Sequence, residues 1–443
     1  MSCSNSAKYR PEALKQGTDD YVLNGVTTDF VDTGKRNLLD RHQPMTNWLE
    51  ARASAGLDPY SKVSASRIAP SIEAFSRHGS PLGGVNFASQ EYLCLASDPR
   101  VIDAAARAAA QYGVHSAGSA ALMGLNPLTI ELERRVARFL EFKDATVFPT
   151  GWGAGYGVIR TLITPQDHVI IDVLAHACLQ EGARNATPNV HTFPHLSNNG
   201  VSRRLAKIRK EDPDAGILVI TETVFSMDSD VPDVASLKRI CTEHNATLLV
   251  DVAHDLGALG RTGRGHLEAQ DMLGRVDIVM GSFSKTFASN GGFVATDHPA
   301  LKLALRYGCG PLTFTNSLSP VQAAIVLKCF DIIESPEGAE RRKRLMENAI
   351  YMREALTAAK FQLLGQPSAI VPVVLGKNAT SRLMTRYMLS NGALVNLVEY
   401  PAVSRNTCRW RVQIMSDHTK GQLDTFVQLA VAARAQAHAY GAL

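Results

Sequence analysis

No stretch of the 443-residue sequence approaches eighteen consecutive apolar residues, and the opening Met1-Ser2-Cys3-Ser4-Asn5-Ser6 has no apolar core. A membrane-spanning helix needs the first and a secretory leader the second, so neither is expected. Cys3, Cys94, Cys178, Cys241, Cys309, Cys329 and Cys408 are scattered, with no Cys-x-x-Cys spacing. An odd, dispersed set reads as reduced thiols of a cytoplasmic protein, not as a disulfide framework or a zinc site, and no metal is expected. Basic clusters are short, Arg203-Arg204 and Arg341-Arg342-Lys343-Arg344, within a net charge of +4. That argues against nucleic acid as the main partner while leaving room for an anionic substrate or cofactor. Internal repeats and low-complexity segments are also missing.

What is present is an ordinary globular composition, 45% hydrophobic and 20% charged, with length enough for a large core and a second, smaller domain. Residues up to about Asn47 are polar and weakly periodic, which predicts an arm stabilised by docking elsewhere. A short helix is expected over Trp48–Arg52, and a strand and turn over Asn86–Leu95. Helices are predicted over Arg100–Tyr112 and Leu128–Phe142, the second with an apolar face of Leu132, Val136, Phe139 and Leu140. Short apolar runs at Thr146–Phe148, Val169–Ile171, Ile217–Ile220, Leu248–Val250, Ile278–Met280 and Phe293–Ala295 then alternate with helical stretches such as Trp152–Leu162 and Val234–His244. Such runs fit strands buried on both faces.

The fold class expected is therefore α/β, a mainly parallel central sheet with helices on both faces, plus a smaller α+β C-terminal domain. The latter rests on a helical region from Pro320 to about Lys360, broken near Pro336, and strand candidates at Ile370–Leu375, Leu394–Leu397 and Arg409–Ile414. The division expected is 1–95 as an N-terminal arm and helices, 96–325 as the large domain and 326–443 as the C-terminal domain.

Parallel sheets place ligands beyond the carboxyl ends of their strands, and the chemistry-bearing residues cluster there. Lys285, in Gly281-Ser282-Phe283-Ser284-Lys285-Thr286-Phe287, follows Ile278–Met280 and precedes Asn290-Gly291-Gly292. A lysine there whose pKa is lowered can attack an aldehyde and form a Schiff base. Asp251 ends another run, with His254 close behind. It could hold a pyridine nitrogen protonated, or cap a helix. His176 occupies the same topological place, as a ring that could stack on a flat cofactor or as a structural histidine. Thr150-Gly151-Trp152-Gly153 lies between strand and helix, where exposed amides suit a phosphate, although a plain glycine-rich turn also fits. Ser226 offers a hydroxyl. Asp228 and Asp230 read as solvated loop carboxylates. Arg409 and Arg411 alternate on one strand and so point the same way, as a fork for a carboxylate or as surface ion pairs.

Thr150-Gly151-Trp152, His176-Ala177-Cys178, Glu222 through Asp230, Asp251-Val252-Ala253-His254 with Gly257, Gly260 and Gly263-Arg264-Gly265, and Ser282-Phe283-Ser284-Lys285 with Gly291-Gly292 together resemble the α-oxoamine synthase family. The resemblance runs from about Trp48 to the C-terminus and, from Asp251 to Gly292 and Val395 to His418, is nearest the bacterial serine palmitoyltransferase branch. It implies a pyridoxal 5'-phosphate enzyme of the aspartate aminotransferase fold, a homodimer with its site at the interface. By that resemblance Lys285 would hold the cofactor as a Schiff base, Asp251 would pair with the pyridinium and His176 would stack on the ring. His254 and Ser226 would lie near the ring hydroxyl. The amides of Gly151 and Trp152 with Ser282, and Thr315 from the neighbouring subunit, would take the phosphate. Arg411 would bind the amino-acid carboxylate, and the partners would be a small amino acid and an acyl thioester, joined with loss of CO2 to give a 2-amino ketone.

The sequence departs from the family pattern at several places. Ala120, Leu125 and Thr129 stand where an arginine, a Gly-Thr pair and a histidine are usual. Val252 replaces an acid, Asp255 a small residue, Gln90 an asparagine and Asn316 a phosphate-site threonine. Two other outcomes therefore stay open: a same-fold enzyme doing transamination or coupling to a non-thioester carbonyl, and a noncatalytic partner subunit. A subunit without chemistry has no need of both Lys285 and Asp251.

Overall fold

Three short strands follow the leading helices in a computed structural model that describes residues 20–440. They are β1 (Val63–Ser64), β2 (Ser71–Phe75) and β3 (Pro81–Phe87). In β2 only Ile72 and Ala74 turn inward, the alternation of a strand with one wet face. The central sheet follows: β4 (Asp144–Phe148), β5 (His168–Asp172), β6 (Val190–Phe193), β7 (Ile217–Glu222), β8 (Thr247–Asp251), β9 (Ile278–Ser282) and β10 (Gly292–Thr296). Its order is β4-β10-β9-β8-β7-β5-β6. Neighbours from β9 to β6 are parallel, and β10 runs antiparallel to both β4 and β9.

Every residue of β7 is buried, because helices cover both faces of this sheet. Alternate residues feed two separate cores. Val147, Ile170, Val219, Val250 and Val279 pack on one side. Phe148, Ile171, Ile220, Leu249 and Met280 pack on the other, with Ala154 and Val158 of the helix Gly151–Leu162 and Leu179 of the helix Ala177–Ala186. The helix Pro127–Leu140 starts where Asn126 Oδ1 accepts the Leu128 and Thr129 amides and Pro127 supplies a fixed φ. It buries Leu132, Val136, Phe139 and Leu140, the apolar face read from the sequence.

The second sheet joins the two ends of the chain. Its late strands are β11 (Gln362–Leu363), β12 (Ile370–Gly376), β13 (Ala393–Val398) and β14 (Cys408–Gln413), in the order β1-β2-β3-β13-β14-β12-β11. β3 runs parallel to β13, and Gly84, at φ +130°, lets the backbones meet, since a Cβ there would lie 2.1 Å from Gly392 O. The pairing of residues 63–87 into this sheet was not foreseen. The expected short helix at Trp48 is longer, Gln43–Ser54.

The arm is described from Asp20, and its residues 1–19 lie outside the described part. Arg382 anchors it: Nη1 donates to Val22 O at 3.0 Å and Leu23 O at 2.6 Å, Nη2 to Gly25 O at 2.7 Å, and Nε to Glu399 Oε1 at 2.6 Å. Trp48 Nε1 adds a bond to Tyr21 O at 2.9 Å, and Arg52 shares Glu399 at 3.1 Å. No described helix is long and apolar enough to cross a membrane. Arg382→Leu leaves Glu399 Oε1 and three carbonyls without their buried donor, while Arg52 and Tyr60 still hold Oε2, so a loss of about 3–5 kcal/mol is expected in urea unfolding. Limited proteolysis should then cut between Asp20 and Trp48 faster than in the native protein.

Candidate active site

Parallel pairing aligns the ends of β5, β7, β8 and β9 on one edge, and each end delivers a polar group. Asp172, Glu222 and Asp251 are the last residues of β5, β7 and β8, and Ser282 closes β9 three residues before Lys285. Glu222 and Asp251 stand opposite each other in register. The start of β10 reaches the same edge, where Gly292 pairs with both Phe148 and Ser282.

Lys285 is half-buried. Burial lowers its pKa, Arg411 pushes the same way, and Asp251 opposes them. Burial raises the Asp251 carboxyl, against the pull of Lys285 and His176. Glu222 is held well above the usual carboxylate range, by burial and then by the Asp251 charge. Lys285, Asp251, His176, Glu222 and Arg411 thus form one electrostatic group. The turn Ala253-His254 starts with Asp251 Oδ1 accepting the Ala253 amide at 2.8 Å, so Asp251 closes a turn and caps no helix.

His176 caps the helix Ala177–Ala186. Its amide donates to Glu222 Oε1 at 2.5 Å, and its Nδ1 accepts the Cys178 amide at 3.3 Å with the thiol 3.0 Å away. The imidazole is therefore protonated on Nε2 when neutral. Burial keeps it neutral by lowering its pKa. Its ring meets Trp152 edge-on, with centroids 5.9 Å apart.

Arg411 arrives from β14 in the other sheet. Its Nε donates to Ser226 O at 2.6 Å and one Nη2 hydrogen faces His254 Nε2 at 3.4 Å. Three of its five N–H groups remain for a ligand. A guanidinium only donates, so His254 Nε2 accepts and Nδ1–H donates to Tyr92 Oη at 3.1 Å. The Tyr92 hydroxyl hydrogen is then left for another acceptor. Burial, then the positive charges of Lys285 and Arg411, hold His254 well below the ordinary imidazole range.

The helix Gly151–Leu162 opens against β9. Thr150 Oγ1 takes the Gly153 amide at 2.9 Å, and helix geometry leaves the Gly151 and Trp152 amides without intrahelical partners. A Cβ on Gly151 would lie 2.6 Å from Ser282 Oγ, so that hydroxyl sits against the first turn. Ser282 Oγ also contacts Ser284 Oγ at 2.7 Å. An open cavity of about 350 Å³ reaches Lys285, lined also by Glu91, Ala96, Ser284, Asn290 and Gln322.

Of the residues singled out in the sequence, Lys285, Asp251, His176, His254, Arg411, Ser226, Ser282, Gly151 and Trp152 share this edge. The Ser226 hydroxyl has no protein partner among the described residues; its carbonyl is what Arg411 uses. Thr315 stands apart, exposed beside Asn316, which bridges to Ser119. Arg409 ion-pairs with Asp228 and does not enter the group. Asp228 and Asp230 are not solvated loop carboxylates: Arg409 takes the first and His195 the second, at 3.2 Å. Tyr92 and the buried Glu222 side chain were missed. Asp255 is fully buried, its carboxyl raised to about 7 by burial, with Oδ2 accepting the His266 amide at 2.6 Å.

Residues 83–429 match the family described as aminotransferase class I and II. The chain is 34% identical over 344 residues to 8-amino-7-oxononanoate synthase of Geobacter metallireducens, covering 78% of this chain and 87% of that one. It is 32% identical over 346 residues to serine palmitoyltransferase of Sphingobacterium spiritivorum, covering 78% and 85%. A solved structure of serine palmitoyltransferase with a PLP internal aldimine superposes with a TM-score of 0.84 at 31% identity, covering 92% of this chain and all of that one.

The backbone contact behind the site is testable. A Cβ on Gly292 would lie 2.6 Å from Gly151 Cα and 2.8 Å from Gly281 O, both backbone atoms, whereas one on Gly310 meets nothing within 4 Å. Gly292→Ala is expected to lose about 1–3 kcal/mol in urea unfolding, with Gly310→Ala near the native value.

Proposed function

Because the chain belongs to the aminotransferase class I and II family, within its α-oxoamine synthase branch, we propose that it joins a small amino acid to an acyl thioester. The reaction releases CO2 and the free thiol and gives a 2-amino ketone. The cofactor is pyridoxal 5'-phosphate. The observation that carries this reading is the meeting of a lysine of lowered pKa, a buried acid and a buried arginine with free donors at one sheet edge.

The residues fit that cofactor. Lys285 can offer a neutral amine to its aldehyde, and Asp251 lacks a fixed cation of the kind a pyridinium supplies. The free amides of Gly151 and Trp152, with Ser282 Oγ against them, form a cradle too tight for a Cβ. Bound there, the cofactor supplies a covalent anchor for the substrate amine and an electron-withdrawing ring next to the α-carbon.

The chain's own groups then divide the work. Arg411 takes the substrate carboxylate through the N–H groups that Ser226 and His254 leave unused. Asp251 keeps the proton on the ring nitrogen. His176, held by Glu222 and Cys178, would cover the ring with Nε2–H as its free donor. The amine of Lys285 would take and return the proton at the substrate α-carbon. The free Tyr92 hydroxyl hydrogen would be a donor for the ring oxygen, with His254 behind it holding Tyr92 and Arg411.

We also read the chain as a homodimer in which Thr315 of one copy completes the phosphate site of the other. Leu122, Met123 and Phe314, at 83%, 88% and 88% exposure, flank the Ser119–Asn316 bridge and mark an apolar surface fit for burial. The described cysteines are all unpaired, which supports a cytoplasmic setting.

The test is a screen of small amino acids by change in the visible absorption of the yellow protein. Acyl-CoA and acyl-carrier-protein thioesters are then followed by free thiol and CO2. Lys285→Ala should lose the visible band and turnover while unfolding like the native protein. Arg411→Lys should raise the amino-acid KM by about 10- to 100-fold, the value of charge-assisted hydrogen bonds. Phe314→Glu should give monomers in sedimentation and lose activity with them. A protein that binds amino acids yet releases no thiol from any thioester would favour the transaminating alternative.

A further inference from the structure

His195 sits outside the group of residues that face substrate, in the short loop between β6 and the helix Asn198–Glu211. It is nonetheless faced on both ring nitrogens by acids, Asp172 at the end of β5 and Asp230 in the loop after β7. Nδ1 donates to Asp172 Oδ1 at 2.9 Å. Nε2 lies 3.2 Å from Asp230 Oδ2, an ion-pair distance at which the N–H is not aligned for a hydrogen bond. The ring stands edge-on to Phe225 at 4.5 Å and 89°.

Each acid is wired into a loop that reaches the site. Asp172 also accepts the Leu174 amide at 2.9 Å and the Leu196 amide at 3.0 Å, so it shapes the turn leading to His176. Asp230 closes a tight loop in which the Phe225 amide donates to Asp230 O at 3.1 Å and the Ser229 amide to Phe225 O at 2.8 Å. Inside that loop Ser226 O receives Arg411 Nε. The imidazole thus pins the base of the turn that aims Arg411 to the strand end that carries His176.

We infer that His195 is a positioning residue, a cationic clamp between Asp172 and Asp230 that sets the place of Arg411 and so the affinity for the amino-acid carboxylate. This rests on the reading that Arg411 takes that carboxylate. The charged groups facing His195 among the described residues are Asp172 from β5 and Asp230 from the loop after β7. Burial alone would lower its pKa, but these two acids outweigh burial and raise it to about 9. With the folded value above the ordinary 6.5, the clamp's contribution is fully present below that value and is lost as pH rises through about 9.

The test compares His195→Gln and His195→Lys with Arg411→Lys. In the protein without cofactor, hydrogen exchange at pH 7 should quicken over residues 223–230 in His195→Gln and stay native elsewhere. Thermal stability of the native protein should fall between pH 8 and 10, while His195→Gln, lower at pH 7, stays flat across that range. In the holoenzyme, glycine, L-alanine and L-serine are titrated in parallel. His195→Gln should raise the KM of the accepted amino acid about fivefold with kcat within about twofold, and His195→Lys should restore part of it. Unchanged exchange and unchanged KM in His195→Gln overturn the clamp. A KM that Arg411→Lys leaves unmoved overturns the reading of Arg411 itself, and with it the link from His195 to substrate, whatever the exchange data show.

Discussion

Two carboxyl groups stand in register at the ends of adjacent parallel strands, and neither can carry its charge there without help. Glu222 and Asp251 are both buried, which raises the carboxyl of each, and the Asp251 charge adds to the cost of ionising Glu222. The surroundings answer this constraint with positive charge from elsewhere in the chain. Lys285 comes from the strand beyond Asp251, and Arg411 comes from a different sheet. The amide of His176 is spent on Glu222. A site that needs an acid beside an amine is therefore also a site whose electrostatics only balance when both sheets are in place.

That dependence explains why the two sheets meet where they do. β14 supplies Arg409 and Arg411 two residues apart on one face, and both grip the loop that follows β7, through Asp228 and through Ser226 O. Ser229 Oγ adds a bond to Gln366 O at 2.9 Å from the far side. The loop after β7 is thus held by the central sheet at one end and by the second sheet at the other. Burying the Arg409–Asp228 ion pair confers little net stability; what it confers is a fixed geometry for Arg411, whose guanidinium retains free donors.

The central sheet was legible in the sequence because its strands are buried on both faces and read as unbroken apolar runs. The residues of the edge were legible for the same reason: Lys285, Asp251 and His176 each follow such a run. The strands between Val63 and Phe87 were not, being short and largely exposed, and joined to the sheet through β3, whose partner β13 lies some three hundred residues away. Asp228 and Asp230 looked solvated because their partners, Arg409 and His195, are remote in sequence. Tyr92 gave no signal either, since a tyrosine among Glu91, Leu93 and Leu95 looks like ordinary core until His254 is seen against its hydroxyl. Local pattern finds the strand ends, and only the fold tells which polar groups meet across them.

The union of β3 with β13 has a consequence for how the polypeptide matures. The central sheet is contiguous, from Asp144 to Thr296, and can assemble as soon as that stretch leaves the ribosome. Residues 63–87 emerge first but find their neighbour last, because Ala393–Val398 is made near the end of synthesis. Until then an early β-ribbon waits with an open edge, the kind of surface that nascent chains shield with chaperones or lose to aggregation.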